Sequence, residues 1–243
     1  SNSKRYRTMN RNLTNVIRFI LDECLPPIIR DNKFFMYPLF YIWFKRKNID
    51  KIMNLKSLVY EWSDEEFAKF YQELDSLARD RETDLNTKCI EFIMQALDPE
   101  AKSLIDVGCG RGYFANKVAA LKKYETHACD LLDHVEIVGG TYHKANVENL
   151  PFADKSFDIV TCHHTLEHVR HLNKAVSELK RITRRQLIVV VPRQKYYYYT
   201  LDEHINFFPI KSTLVSLIGI QNHICENLWG DWVYIDYLNK EAR

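Results

Sequence analysis

The sequence is poor in glycine, with seven among 243 residues, and it holds no internal repeat and no low-complexity tract. Collagen-like, solenoid and flexible-linker architectures are thereby excluded. A charge excess of either sign is also missing, since 34 Lys and Arg stand against 32 Asp and Glu. A balanced chain has no general drive towards polyanions, which disfavours nucleic acid as the bulk partner. Six cysteines (24, 89, 109, 129, 162 and 225) never form C-x-x-C, and most sit in apolar segments. They read as buried thiols of a reducing, cytoplasmic compartment. The longest uncharged apolar run, FFMYPLFYIWF at 34–44, is far shorter than the roughly 20 residues needed to span a bilayer. No secretory leader is visible, and the residues ahead of Met9 are expected to be an expression remnant.

Three of the seven glycines fall within five residues, in SLIDVGCGRGYFA at 103–115. A strand-forming run leads into Gly108, Gly110 and Gly112, and a helical pattern follows. Glycine permits φ > 0 and a close approach of ligand to backbone, while the next helix offers unpaired N–H groups. The spacing is G-x-G-x-G. A dinucleotide fingerprint needs G-x-G-x-x-G, and Tyr113 stands where its last glycine belongs. No Gly-Lys-Ser/Thr triplet follows, which removes an ATP P-loop. YETHACD at 124–130 reads as a second strand ending in an acid, Asp130, placed where such sheets set a carboxylate against ribose.

Downstream lies ANVENLPFADKSFDIVTCHHTLEHV at 145–169. With the glycine loop and Asp130, this block resembles class I S-adenosylmethionine-dependent methyltransferases of the small-molecule type 11 family, over about residues 83–192. The resemblance implies S-adenosylmethionine as cofactor and S-adenosylhomocysteine as product. It places Asp106, Gly108, Gly110 and Gly112 at the methionine end, Asp130 on the ribose, and Leu131 against the adenine. Asn146 stands at the family's usual Asp, as an acceptor for the adenine amino group. Val147 would offer a backbone N–H to the ring, and His163 would contact the methionine part. A looser likeness points to precursors of bacterial surface polysaccharides or natural products.

From residue 102 strands and helices alternate, which predicts a doubly wound, Rossmann-like and mostly parallel α/β sheet. The ten residues between Asp130 and Thr141 are too few for a full crossover helix. NHICENL and WVYIDYL flank Trp229-Gly230-Asp231 and read as an antiparallel C-terminal hairpin. Residues 1–98 read as an all-helical cap and 99–243 as the cofactor-binding domain. In the cap, 12–22, the aromatic run and SDEEFAKFYQELDSLA at 63–78 read as helices, the last opened by a Ser63–Glu66 capping box. Lys33, Lys45, Arg46 and Lys47 flank the aromatic run, which reads as a lid, with weak membrane-surface contact as the competing reading.

Methyl transfer is an in-line displacement that depends mostly on positioning. A hydroxyl acceptor benefits from a general base, and histidine is the natural candidate. His163, His164 and His204 are the catalytic candidates, with His168 and His171 expected inside a helix spanning 166–181. His164, His168 and His171 would then share one helix face, but no carboxylate or thiolate completes a metal site, so no metal is expected. The tyrosines at 196–199 are expected to alternate faces, two of them towards a pocket with Tyr37 and His204. Lys180, Arg181, Arg184 and Arg185 read as a solvated helix end. Cys162-His163-His164-Thr165 replaces the Asn/Asp-Pro-Pro-aromatic motif of DNA amino methyltransferases. The sequence thus points to an O- or N-methyltransferase with a small-molecule acceptor and an undetermined oligomeric state. The competing reading is a non-catalytic cofactor-binding subunit or a membrane-associated scaffold.

Overall fold

The computed structural model describes residues 16–74, except 18, and 82–238. The protein packs as two compact units, Ser1–Arg81 with Lys195–His204, and Glu82–Gln194 with Ile205–Arg243. None of the described helices is long and apolar enough to cross a membrane.

In the first unit a single π turn, Ile20–Cys24, precedes α1 (Pro27–Arg30) and α2 (Lys33–Trp43). Most of the 12–22 helix expected from the sequence lies outside the described residues. Pro27 sits at a helix start, where its missing N–H costs nothing. Asn32 caps α2 by accepting from the Phe34 N–H at 2.9 Å. Short helices α3 (Ile49–Met53) and α4 (Leu55–Leu58) follow. Then α5 (Asp64–Glu73) opens on the capping box formed by Ser63 and Glu66. It ends at Glu73, with Leu74 already extended, short of the continuation through Leu77 that the sequence predicts; residues 75–77 lie outside the described residues. The 195–204 segment is irregular, so its tyrosines do not alternate as a strand would. Tyr197 is buried under the Arg30 guanidinium, Tyr196 is exposed, and Tyr199 meets Phe40 edge-on. Lys56 donates to the Tyr198 carbonyl and the Thr200 hydroxyl, both at 2.8 Å. Burial lowers its ammonium to about 8, against the pull of Asp202, Glu203 and Asp31.

The second unit begins with α6 (Thr87–Ala96), which the sequence reading assigned to the cap. Its strands are β1 (Ser103–Val107), β2 (Glu125–Asp130), β3 (Thr141–Lys144), β4 (Phe157–His163), β5 (Thr183–Pro192), β6 (His223–Leu228) and β7 (Asp231–Tyr237). They form one sheet in the order β3-β2-β1-β4-β5-β7-β6, parallel except for β7 and β6. The remaining helices are α7 (Tyr113–Ala120), α8 (Leu172–Ile182) and α9 (Lys211–Ile218).

Side chains alternate across each strand. Leu104, Ile159, Ile188 and Val190 therefore pack with Cys89 and Ile93 of α6 and Phe114 and Val118 of α7. Ile105, Val160, Leu187 and Val189 pack on the other face with Val176 and Leu179 of α8 and Leu214 of α9. Burial on both faces explains why β5 carries the unbroken run Leu187–Ile188–Val189–Val190–Val191. The connection from β2 to β3 holds no helix, as its length predicts. Lys180 and Arg181 end α8, whereas Arg184 and Arg185, expected on the same helix end, lie in β5, and all four cations have partners. Arg181 pairs with Glu178 and Asp154, Arg184 with Asp158, and Arg185 with Asp98 and Glu100, while Lys180 donates to the Ile218 carbonyl.

Candidate functional site

The glycine turn leaves the carboxyl end of β1 with Gly108, Gly110 and Gly112 at φ of +73°, +53° and +78°. The three positions are not equivalent. A Cβ on Gly108 would sit 2.1 Å from Thr165 Oγ1, and one on Gly112 would sit 2.6 Å from Ile137 Cδ1. A Cβ on Gly110 would meet nothing within 4 Å. Two glycines thus make room for the protein's own side chains, and the middle one borders open space. The Gly110 N–H donates to Asp130 Oδ2 at 2.8 Å, and the Leu132 N–H approaches Oδ1 at 3.4 Å. Burial raises the Asp130 carboxyl above its ordinary range, opposed by the backbone N–H groups of Gly110, Leu132 and Leu131. The N–H groups of Gly108 and Cys109 both reach the Cys129 carbonyl, stitching the turn to the end of β2.

Behind the turn lies a buried polar pair. Asp106 accepts from the Thr161 hydroxyl at 2.8 Å, and His163 Nδ1 stands 3.5 Å from the same carboxylate oxygen. Burial pushes the Asp106 carboxyl up to about 7, with Asp130 adding to the rise and Thr161 opposing it. Burial, helped by the neighbouring His164, lowers His163 to about 3. The imidazole is therefore neutral at pH 7, set edge-on to Phe114 at 4.6 Å. Its Nε2 is buried without a hydrogen-bond partner among the described residues. Buried polar atoms are normally satisfied, so this nitrogen at the end of β4 is a donor or acceptor still available to a ligand.

His164 differs sharply from its neighbour. It adopts φ of +48°, an uncommon conformation for a side-chain-bearing residue. Its Nδ1 lies 3.2 Å from Glu167 Oε1, and its Nε2 lies 3.4 Å from Asp231 Oδ2. Burial disfavours its charge, but Asp231 and Glu167 outweigh that and raise it to about 10. Asn86 Nδ2 holds the same Asp231 oxygen at 2.8 Å. A ring that already carries its proton cannot serve as a proton acceptor at neutral pH, so the general-base role expected for His164 does not fit. The shared helix face of His164, His168 and His171 also fails. Only a 3₁₀ turn, Leu166–His168, forms there, and α8 begins at Leu172. The helix is interrupted because the Glu167 carbonyl accepts from the N–H groups of Ile205 and Asn206, at 2.7 and 3.0 Å. Asn206 then ties the Leu166 and Val169 carbonyls.

At the adenine end expected from the sequence, Leu131 is half-buried and Val147 buried. Asn146 Oδ1 accepts from the Glu148 N–H at 2.9 Å, so one of its lone pairs is engaged locally. Glu148 itself escaped the sequence reading. Its buried carboxylate accepts from the N–H groups of Arg170 and His171, at 2.9 and 3.0 Å, and so orders the approach to α8. Thr161, Glu167 and Asp231 were missed as well; the only available signal was a polar residue set among apolar neighbours. Asp106, the glycines, Asp130 and His163 come together at the carboxyl ends of β1, β2 and β4, the usual ligand edge of such sheets. His204 belongs to the other unit, buried with its Nδ1 3.3 Å from Asp202 Oδ2. Tyr37 of that unit is exposed and Tyr197 buried.

Residues 105–191 match a family described as a methyltransferase domain. An uncharacterized protein of Methanocaldococcus jannaschii is 31% identical over 141 residues, covering 56% of this chain and 60% of that protein. The malonyl-[acyl-carrier protein] O-methyltransferase of Buchnera aphidicola is 33% identical over 94 residues, covering 36% of this chain and 38% of that protein. The ubiquinone biosynthesis O-methyltransferase of Hydrogenovibrio crunogenus is 30% identical over 140 residues, covering 51% and 53%. The chain thus spans between about two fifths and three fifths of these curated relatives.

Proposed function

We propose that the chain, whose residues 105–191 match a methyltransferase domain, is an S-adenosylmethionine-dependent methyltransferase that acts on a small-molecule acceptor. Gly108, Gly110 and Gly112 would hold the cofactor's methionine end, together with Asp106 and the unpartnered His163 Nε2. Asp130 takes the ribose hydroxyls, and Leu131, Asn146 and Val147 line the adenine. The observation that carries this reading is the open space at Gly110, next to a carboxylate that the same residue's N–H holds in place. Bound there, S-adenosylmethionine supplies an electrophilic methyl group; the chain's own task is to orient it and exclude water. Two relatives bear the name O-methyltransferase, so oxygen is the acceptor atom to test first. Polysaccharide or natural-product precursors are suitable first acceptors. For a hydroxyl acceptor, neither adjacent histidine suits a general base, because His163 holds a proton too weakly and His164 too tightly. A non-catalytic cofactor-binding subunit is the competing reading; it would bind cofactor yet turn nothing over.

Two measurements test the proposal. S-adenosylhomocysteine should raise the melting temperature, since a ligand that binds only the native state stabilises it by mass action, and NAD should not. Gly110→Ala should keep the fold, at a strain cost of about 1–2 kcal/mol, and lose that ligand shift. A shift with NAD alone would overturn the cofactor assignment. Absence of turnover with every oxygen and nitrogen acceptor, despite tight S-adenosylhomocysteine binding, would favour the non-catalytic reading.

A further inference from the structure

Helix α2 is apolar around almost its whole circumference. It buries Met36, Phe40 and Trp43. Its other face shows Phe34, Phe35, Leu39 and Ile42 to solvent, with Phe34 81% and Ile42 66% exposed. Tyr37 and Tyr41 stack beside them at 6.2 Å. After Lys33 the helix carries no charge at all. A helix that is hydrophobic all round belongs in an apolar environment, and scattered single apolar residues do not explain a continuous face of this kind.

The flanks of that face identify the environment. Between Lys33 and Lys51 the chain carries five cations (Lys33, Lys45, Arg46, Lys47 and Lys51) and one carboxylate, Asp50, which pairs with Lys33 at 3.3 Å. Lys45, Arg46 and Asn48 take positive φ in the turn that ends α2, and the Arg46 guanidinium lies 5.2 Å from the Tyr41 ring. Aromatic rings edged by lysine and arginine are the composition of a membrane interface. Eleven residues of helix extend about 16 Å, roughly half the hydrocarbon thickness, so α2 can lie in the interface without crossing it. We propose that the outer face of α2 docks on an anionic phospholipid surface, with Phe34, Phe35, Leu39 and Ile42 entering the acyl boundary and the flanking cations meeting the headgroups.

Vesicle flotation of the full chain tests this, using phosphatidylcholine vesicles with and without phosphatidylserine. The chain should float with the anionic vesicles, and less so as salt rises. Phe34→Ser with Ile42→Ser should reduce partitioning at least tenfold while leaving the melting temperature unchanged. Arg46→Glu with Lys47→Glu should remove the preference for phosphatidylserine, a loss of about tenfold or more. Failure to float with either vesicle overturns the proposal. So does a dimer in sedimentation that the Phe34→Ser/Ile42→Ser variant abolishes, because the occupant is then a second copy. Reduced turnover of a soluble acceptor by that variant, without vesicle binding by the parent, makes the face a lid.

Discussion

Helices α2 and α8 each contain eleven residues, one in each unit, and they spend their surfaces in opposite ways. Helix α8 buries Ala175, Val176, Leu179 and Ile182, and its remaining positions include Asn173, Lys174, Ser177, Lys180 and the Glu178–Arg181 pair. It is an amphipathic helix made to seal one face of a sheet against water. Helix α2 buries a narrower stripe and leaves Phe34, Phe35 and Ile42 outside. In the second unit polarity is taken inside, as in His164, whose ring nitrogens face Glu167 and Asp231. In the helical unit apolarity is left outside. Stability therefore concentrates in the first case and surface chemistry in the second.

That contrast can be broken in measurable ways. Glu167→Ala removes the fully buried carboxylate of a largely buried ion pair and should cost about 3–5 kcal/mol in denaturant unfolding. A loss under 1 kcal/mol would mean that water or a rearranged Asp231 carries the charge. Leu179→Ala opens a cavity under α8 and should cost about 2–5 kcal/mol. The His164 charge predicts a pH dependence with a definite sign. Its folded value of about 10 exceeds the unfolded value near 6.5, so the folded state holds the proton more tightly. The stability it contributes is full below pH 6.5 and fades as pH rises towards 10, by up to about 1.4 kcal/mol per pH unit. Parallel melts of the parent and His164→Gln should therefore converge as the solution becomes alkaline. Curves that stay parallel from pH 6 to 10 would show that the ring is not a buried cation. The smallest effect belongs to α2, where Ile42→Ser should move stability by no more than about 0.5 kcal/mol.

Much of the fold was legible because its signals are local. The strand, three spaced glycines and helix at 103–120, the Ser63–Glu66 box and the Trp229–Gly230–Asp231 turn each announce themselves within a few residues. The short link between β2 and β3 was readable by length alone. The fate of the histidines was not legible. Adjacent in sequence, His163 and His164 are driven to about 3 and about 10, because only His164 meets Asp231, delivered by the antiparallel pairing of β7 with β5. The break in the helix expected over 166–181 has a similar origin, since the N–H groups that occupy the Glu167 carbonyl arrive from Ile205 and Asn206. A helical pattern cannot register competition from a distant strand or loop.

The first unit draws on two stretches of chain, and this sets a timetable for its synthesis. Lys56 finds its two acceptors 142 and 144 residues further along. At roughly 5–20 residues per second, a ribosome needs on the order of ten seconds to deliver them. Through that interval the ammonium must stay hydrated and Tyr197 has not yet been made. Strands β1 to β5 emerge before the 195–204 segment, and β6 and β7 emerge after it. The helical unit therefore completes while the sheet still lacks its antiparallel edge. A nascent chain halted just past His204 holds every residue of the first unit and only five of the seven strands.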